Sequence, residues 1–268
     1  MSGELSPPSI QQLFDLTGRI ALVTGGAGYL GRAISEALAE AGATVVVSSR
    51  SLDRATAAVS ALPTNGAVEH QAVELDHKDE TSLQSGFAAA VERAGGVDIL
   101  FNNGQGGAAD DWTDITDEGF RDQLSNAAGY FLLARLMRDH AVDRGKPASI
   151  VMLGSMYGVV GSYPDSYEGV CPASSVGYHT LKGGIVHMTR HLAVYWAKDN
   201  VRVNCLSPGP FPSEKAPAEM VERLCGKSPM GRMGLPQELK GAALLFASDA
   251  GSYLTGQNLI VDGGWTAW

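Results

Sequence analysis

The sequence predicts an α/β protein in one domain, a doubly wound parallel sheet with helices on both faces. Three observations carry that reading. Short Val/Ile/Leu runs alternate with amphipathic stretches of ten or more residues, the pattern of strands joined by helical crossovers. Those runs are near-continuous rather than alternating, as strands covered on both faces require. A Gly-rich segment, Thr24-Gly25-Gly26-Ala27-Gly28-Tyr29-Leu30-Gly31, stands where the first run gives way to the first amphipathic stretch.

Residues 1–15 read as a polar, Pro-containing arm without periodicity, and 16–268 as the folded domain. A strand over 20–23 leads into a helix over 30–41, ended by Gly42. A second strand over 44–48 (Val45, Val46, Val47) precedes a helix over 52–62, closed by Pro63. A strand over 68–75, a helix over 81–94 and a strand over 97–102 follow. Then come a long helix over 120–139, a strand over 149–153, a second long helix over 176–198, and strands over 201–206 and 257–261. Right-handed crossovers make such a series a parallel sheet. There is no repeat and no low-complexity segment.

The 268 residues carry a formal net charge of -9 and no Lys/Arg run, which argues against nucleic acid or an anionic membrane surface as partner. No uninterrupted apolar run approaches the ~20 residues a membrane span needs, and the N-terminus lacks a basic segment followed by an apolar one. Cys171, Cys205 and Cys225 have no metal-like spacing and cannot all pair, so reduced thiols in a cytoplasmic protein are expected.

The Gly-rich segment follows a buried strand and opens an amphipathic helix, the context in which such a turn binds a dinucleotide pyrophosphate. Gly25 permits the turn, Gly28 lets the backbone approach phosphate, and Gly31 lets the helix pack on the strand. The helix start, at Tyr29 and Leu30, supplies N–H groups and a partial positive charge. The second strand ends in Ser48-Ser49-Arg50-Ser51, with no carboxylate to hold ribose hydroxyls. Arg50, with Ser49 beside it, suits a 2'-phosphate, so NADP is favoured over NAD. Asp76, followed by His77, either accepts from the adenine amine or caps the helix starting near Asp79.

Tyr178 and Lys182 stand one helical turn apart. A phenol titrates near pH ~10, so acting as a base near neutrality asks for a shift worth ~4 kcal/mol. An ammonium on the same helix face, with the positive charge of an oxidised nicotinamide, is expected to provide it. The strand over 149–153 ends in Gly154-Ser155, which places Ser155 at the ligand end of a central strand, able to hold a substrate oxygen.

Taken in order, these residues resemble the short-chain dehydrogenase/reductase family from Leu16 to Gly264. The resemblance also takes in Asn102-Asn103, Asn126 in Ser-Asn-Ala-Ala-Gly-Tyr-Phe, Asn204, Pro208-Gly209 and Val261-Asp262-Gly263-Gly264. It implies a Rossmann fold and an Asn126-Ser155-Tyr178-Lys182 tetrad in which Asn126 holds a water linking Lys182 to solvent. Asn103 and Gly104 would lie beside the nicotinamide. The stretch Pro208, Gly209, Phe211, Ser213 would hold its carboxamide. The family is commonly tetrameric, which would put Trp265 and Trp268 at an interface.

The chain departs from the family pattern in three places. Tyr29 replaces the usual middle glycine, and Gly104 stands where alanine is usual. The 22 residues between Ser155 and Tyr178 exceed the usual connection. That insertion is rich in Tyr, Ser and acids, and similar ones occur in sugar-acting relatives, with rings packing on the sugar and carboxylates taking hydroxyl hydrogens. The expected activity is hydride transfer between NAD(P) and a secondary alcohol or ketone, on a sugar, polyol or sugar acid. A 3-oxoacyl thioester or cyclic ketone is the alternative substrate, and a dinucleotide sensor without chemistry the remote alternative.

Overall fold

The computed structural model describes residues 7–64, 68–107 and 111–268. The arm is not featureless: α1 (Ile10–Phe14) forms a short helix. A capping box makes it, with Ser9 Oγ accepting from the Gln12 N–H (3.3 Å) and Gln12 Oε1 accepting from the Ser9 N–H (2.8 Å). Residues 1–6 of the arm lie outside the described residues.

After Leu16, which is buried, the chain builds β1 (Ile20–Thr24), α2 (Tyr29–Glu40), β2 (Thr44–Ser49), α3 (Leu52–Ser60) and β3 (Gln71–Glu74). It continues through α4 (Glu80–Ala94), β4 (Ile99–Asn102), α5 (Asp117–Arg144), β5 (Ala148–Leu153) and α6 (Val176–Trp196). β6 (Val201–Pro208), α7 (Ala218–Cys225), α8 (Lys240–Ala247) and β7 (Asn258–Val261) complete it. The sequence reading missed α7 and α8. Each has only 8 residues, and α8 (Lys-Gly-Ala-Ala-Leu-Leu-Phe-Ala) is apolar enough to read as a buried strand.

Among the described residues the strands form one parallel sheet in the order β3-β2-β1-β4-β5-β6-β7. Successive side chains go to opposite faces. Leu22, Val46, Leu100, Ile150 and Val203 therefore pack against Leu83, Leu133 and Ile185 of α4, α5 and α6. Their neighbours Ala21, Val23, Val45, Val47, Phe101 and Val151 pack against Ile34 and Leu38 of α2 and Phe246 of α8. Each fully buried Val, Leu, Ile or Phe contributes about 1.5–3 kcal/mol, so the two faces supply the driving force for the sheet. No helix among the described residues is long and apolar enough to cross a membrane.

Trp265 does not wait for a partner chain. It is 2% exposed, against Met156, Leu224 and the ring of Tyr163 (centroids 5.4 Å apart). The final 3-10 turn folds it back under the insertion, while Trp268 remains exposed.

One close approach fixes the site above the sheet. A Cβ at Gly129 of α5 would meet the His77 carbonyl oxygen at 1.9 Å, so the helix rests directly on the loop after β3. Gly129→Ala must push that backbone away. It should lower stability by about 2–3 kcal/mol, read as a loss of denaturation midpoint, whereas substitution at open Gly241 should not.

Candidate active site

The strand order reverses between β1 and β4, opening a crevice at the carboxyl ends of the strands. Two cavities that share Gln105 lie along it.

The first, about 270 Å³, is lined by Thr24, Gly25, Ala27, Gly28, Ser49, Arg50, Arg54, His77, Asn103 and Gly104. Gly28 begins α2, and no side chain caps that helix, so its first-turn N–H groups stand at this cavity. A Cβ at Gly31 would meet the Gly25 carbonyl oxygen at 2.3 Å, so only glycine lets helix and turn close together. The Thr24 hydroxyl knits β1 to β4, accepting from the N–H groups of Asn103 and Gly104 (2.8 Å each). The Asn103 amide is spent on the same junction, donating to the Thr24 carbonyl (2.9 Å). Tyr29, in place of the usual glycine, donates its hydroxyl to the Pro212 carbonyl (3.1 Å) and so bridges the Gly-rich turn to the loop after β6. Leu30 follows it in α2 and lines neither cavity.

Arg54 was not anticipated. It lies four residues beyond Arg50, in the first turn of α3, and that spacing was the available signal. Neither arginine forms an ion pair among the described residues, and no carboxylate lines this cavity. Asp76 does not line it either. Its carboxylate folds back to accept from the Lys78 N–H (3.0 Å), while Asp79 caps α4 by accepting from Ser82 (2.6 Å).

The second cavity, about 570 Å³, holds Ser155 and Tyr178 against Gly209, Pro210, Phe211 and Pro212. Ser155 ends β5 buried, and its Oγ accepts from the Tyr157 N–H (3.2 Å). It stands close enough to the Tyr178 phenol to lower that group's pKa. Pro208 closes β6, and Ser213 is exposed outside the lining.

Lys182 is 3% exposed, and its ammonium donates to the Leu153 carbonyl (2.7 Å). Its Nζ lies 5.6 Å from the ring centroids of Tyr130 and Tyr178. Burial pushes the Lys182 pKa down to about 8. Protein groups alone do not lower the Tyr178 phenol. Burial raises the phenol, opposed only by the Ser155 hydrogen bond. The ammonium donates to a carbonyl and lies over the phenol ring.

Asn126 is fully buried and its amide fully used. Oδ1 accepts from the Gly106 N–H (2.9 Å), and Nδ2 donates to the carbonyls of Gly106 (2.9 Å) and Gln123 (2.8 Å). With Oδ1 so oriented, His77 Nε2, 2.6 Å away, carries the hydrogen and donates to it. The side-chain amide is therefore fully engaged within the protein. His77 is 6% exposed with its pKa lowered by burial, which keeps the ring neutral. Gly104 makes room for it, since a Cβ there would sit 3.0 Å from His77 Nδ1. Forty-nine residues separate the two partners, so nothing local announces the pair.

The insertion adds Tyr157 and Tyr167 to the wall, hydroxyl to hydroxyl at 2.7 Å. Its carboxylates turn away from the cavity, contrary to expectation. Asp165 pairs with Lys227 (2.5 Å), and Arg223 of α7 donates to the Asp165 (3.0 Å) and Glu168 (2.8 Å) carbonyls. Arg223 of α7 and Lys227 just after that helix hold the insertion from outside.

Known proteins share this arrangement. The family described as enoyl-(acyl carrier protein) reductase matches residues 26–266. Galactitol 2-dehydrogenase (L-tagatose-forming) of Cereibacter sphaeroides is 36% identical over 96% of this chain and 98% of its own. The chain belongs to the short-chain dehydrogenase/reductase family. Another relative, gluconate 5-dehydrogenase of Gluconobacter oxydans, is 31% identical over 95% of this chain and 97% of its own. The crystal structure of a gluconate 5-dehydrogenase from Burkholderia cenocepacia in complex with NADP and tartrate superposes with a TM-score of 0.86 at 26% identity, covering 97% and 100% of the two chains. As a member of the short-chain dehydrogenase/reductase family, this protein is an oxidoreductase acting on CH–OH groups with a nicotinamide dinucleotide.

The buried lysine leaves a mark on stability. Its folded pKa lies below the unfolded value, so above pH 8 the unfolded chain binds the extra proton and stability rises with pH. Comparing wild type with Lys182→Met by chemical denaturation, the wild type should gain about 2 kcal/mol relative to the variant between pH 8 and 10.

Proposed function

We propose that this protein is an NADP-dependent dehydrogenase/reductase moving a hydride between nicotinamide and a secondary carbinol of a sugar, polyol or sugar acid. The observation that carries this reading is the convergence of Ser155 and Tyr178 on the cavity next to that of the Gly-rich turn, with Lys182 buried against the Tyr178 ring. Tyr178 gives or takes the carbinol proton, and Ser155 holds the same oxygen. Lys182 keeps a buried ammonium against the Tyr178 ring. Asn126 acts as a positioning residue through Gly106 and His77. The Gly25–Gly28 turn would hold the pyrophosphate and Gly209–Phe211 the carboxamide. The dinucleotide, when bound, supplies or takes up the hydride and, oxidised, adds a positive charge.

Arg50 and Arg54, without an opposing carboxylate, support a 2'-phosphate and hence NADP. Exposed Val194 and Tyr195 on α6, with Trp268, support a homotetramer. Three free cysteines support a cytoplasmic setting, and the continuous sheet supports one domain over 16–268. A second reading, reduction of a cyclic or acyl ketone, is favoured by the apolar share of the wall, Met156, Phe211, Met220 and Leu224.

Reduced-cofactor absorbance across sugars, polyols, sugar acids and ketones tests the substrate class. Tyr178→Phe should bind NADPH as wild type does and lose kcat by about 10²–10⁴-fold; retained turnover would remove Tyr178 from the chemistry. The Arg50→Ala/Arg54→Ala double variant should lower the NADP-over-NAD ratio of kcat/KM by about tenfold or more, roughly 1.4 kcal/mol. An unchanged ratio would end the NADP assignment.

A further inference from the structure

We infer that the substrate is a neutral polyol or its ketose rather than a sugar acid, and that Ser175 holds one of its hydroxyl groups. This rests on the sugar or polyol reading above and deepens it. Among the described residues, no charged side chain lines the cavity that holds Ser155 and Tyr178. Ala108, Ala109 and Asp110 bring no cation by their composition. Basic groups nearby are committed elsewhere. Lys182 donates to the Leu153 carbonyl, Arg223 to the backbone of the insertion, and Lys227 to Asp165. Lys215, exposed on the loop after β6, lies outside the lining. A carboxylate drawn into this cavity would shed water and meet no charged side chain in its lining, whereas hydroxyl groups need only hydrogen-bond partners.

Ser175 is such a partner. It stands at the N-cap of α6, where a serine normally accepts from a first-turn N–H, yet it makes no cap hydrogen bond. It is 3% exposed, its hydroxyl has no hydrogen-bond partner, and it lines the cavity one turn before Tyr178. The other hydroxyls of this wall are occupied. Tyr157 and Tyr167 bond each other (2.7 Å), Ser174 bonds His179 (3.1 Å), and Ser155 accepts from the Tyr157 N–H (3.2 Å). A buried hydroxyl left unpaired is unfavourable, and a turn of the Ser175 side chain toward the cavity would let a substrate hydroxyl satisfy it.

The experiment measures kcat/KM with NADP and NAD for a hexitol, its monodeoxy analogues and the aldonate of the same carbon number. Wild type and Ser175→Ala are compared, with the Tm of both. The hexitol should exceed the aldonate by at least about 100-fold. Removing one hydroxyl from the hexitol should cost wild type about tenfold, equivalent to roughly 1.4 kcal/mol. In Ser175→Ala the same removal should cost nothing further, and Tm should not fall because no cap bond is lost. An aldonate turned over as well as the hexitol would overturn the neutral-substrate inference while leaving the oxidoreductase reading in place. Loss of that activity in Lys215→Ala would then name the cation responsible. If no deoxy position couples to Ser175, or if Tm falls as for a lost helix cap, Ser175 is not a substrate contact. Turnover confined to acyl thioesters or cyclic ketones would overturn both this inference and the sugar or polyol reading beneath it.

Discussion

The buried hydrogen bond between His77 and Asn126 joins the two ends of the crevice, and the geometry around both cavities depends on it. His77 belongs to the loop after β3 and lines the cavity with the two arginines. Asn126 belongs to α5 and holds Gly106 through both its amide atoms. The bond forms only because α5 rests on the His77 backbone at Gly129 and because Gly104 leaves space for the imidazole. Low dielectric strengthens such a bond and makes loss of either partner costly, since the survivor would be a buried polar group without a partner. The glycine at position 104, which departs from the family pattern, is therefore the steric complement of a histidine on another element.

Burial sets the electrostatics of the reacting residues more than charge does. Lys182 is pressed between the rings of Tyr130 and Tyr178 and pinned to the end of β5. Desolvation lowers its affinity for a proton and raises that of the Tyr178 phenol, so protein groups alone hold the tyrosine protonated. A serine hydroxyl at the end of the same strand pulls in the other direction. The site is thus ready to donate a proton, and a positive charge arriving in the crevice is the kind of perturbation that would reverse the balance.

Charge is distributed unevenly along the crevice. Two guanidinium groups mark one end, and uncharged groups mark the other. The insertion produces the second result by an indirect route. Asp165 turns outward to Lys227, Arg223 of α7 holds the backbone beside it, and Tyr157 and Tyr167 turn inward. Its underside packs on Trp265, so the chain terminus supports the substrate wall from within the same subunit.

Patterns repeating within a turn or a strand determined what the sequence alone could show. Near-continuous apolar runs specified a parallel sheet, and the Gly-rich turn placed the dinucleotide end. The spacing of Tyr178 and Lys182 placed both on one helix face. Short elements escaped, because the 8-residue helices α7 and α8 have too little periodicity to separate from loop or strand. Residue direction escaped as well. The composition of the insertion showed acids and tyrosines but not which would face the cavity, a choice made by Arg223 and Lys227 more than fifty residues away. The His77–Asn126 bond and the orphaned hydroxyl of Ser175 were decided only by tertiary structure. Both depend on which groups from separate elements come close enough to exclude water, and one-dimensional spacing carries no record of that.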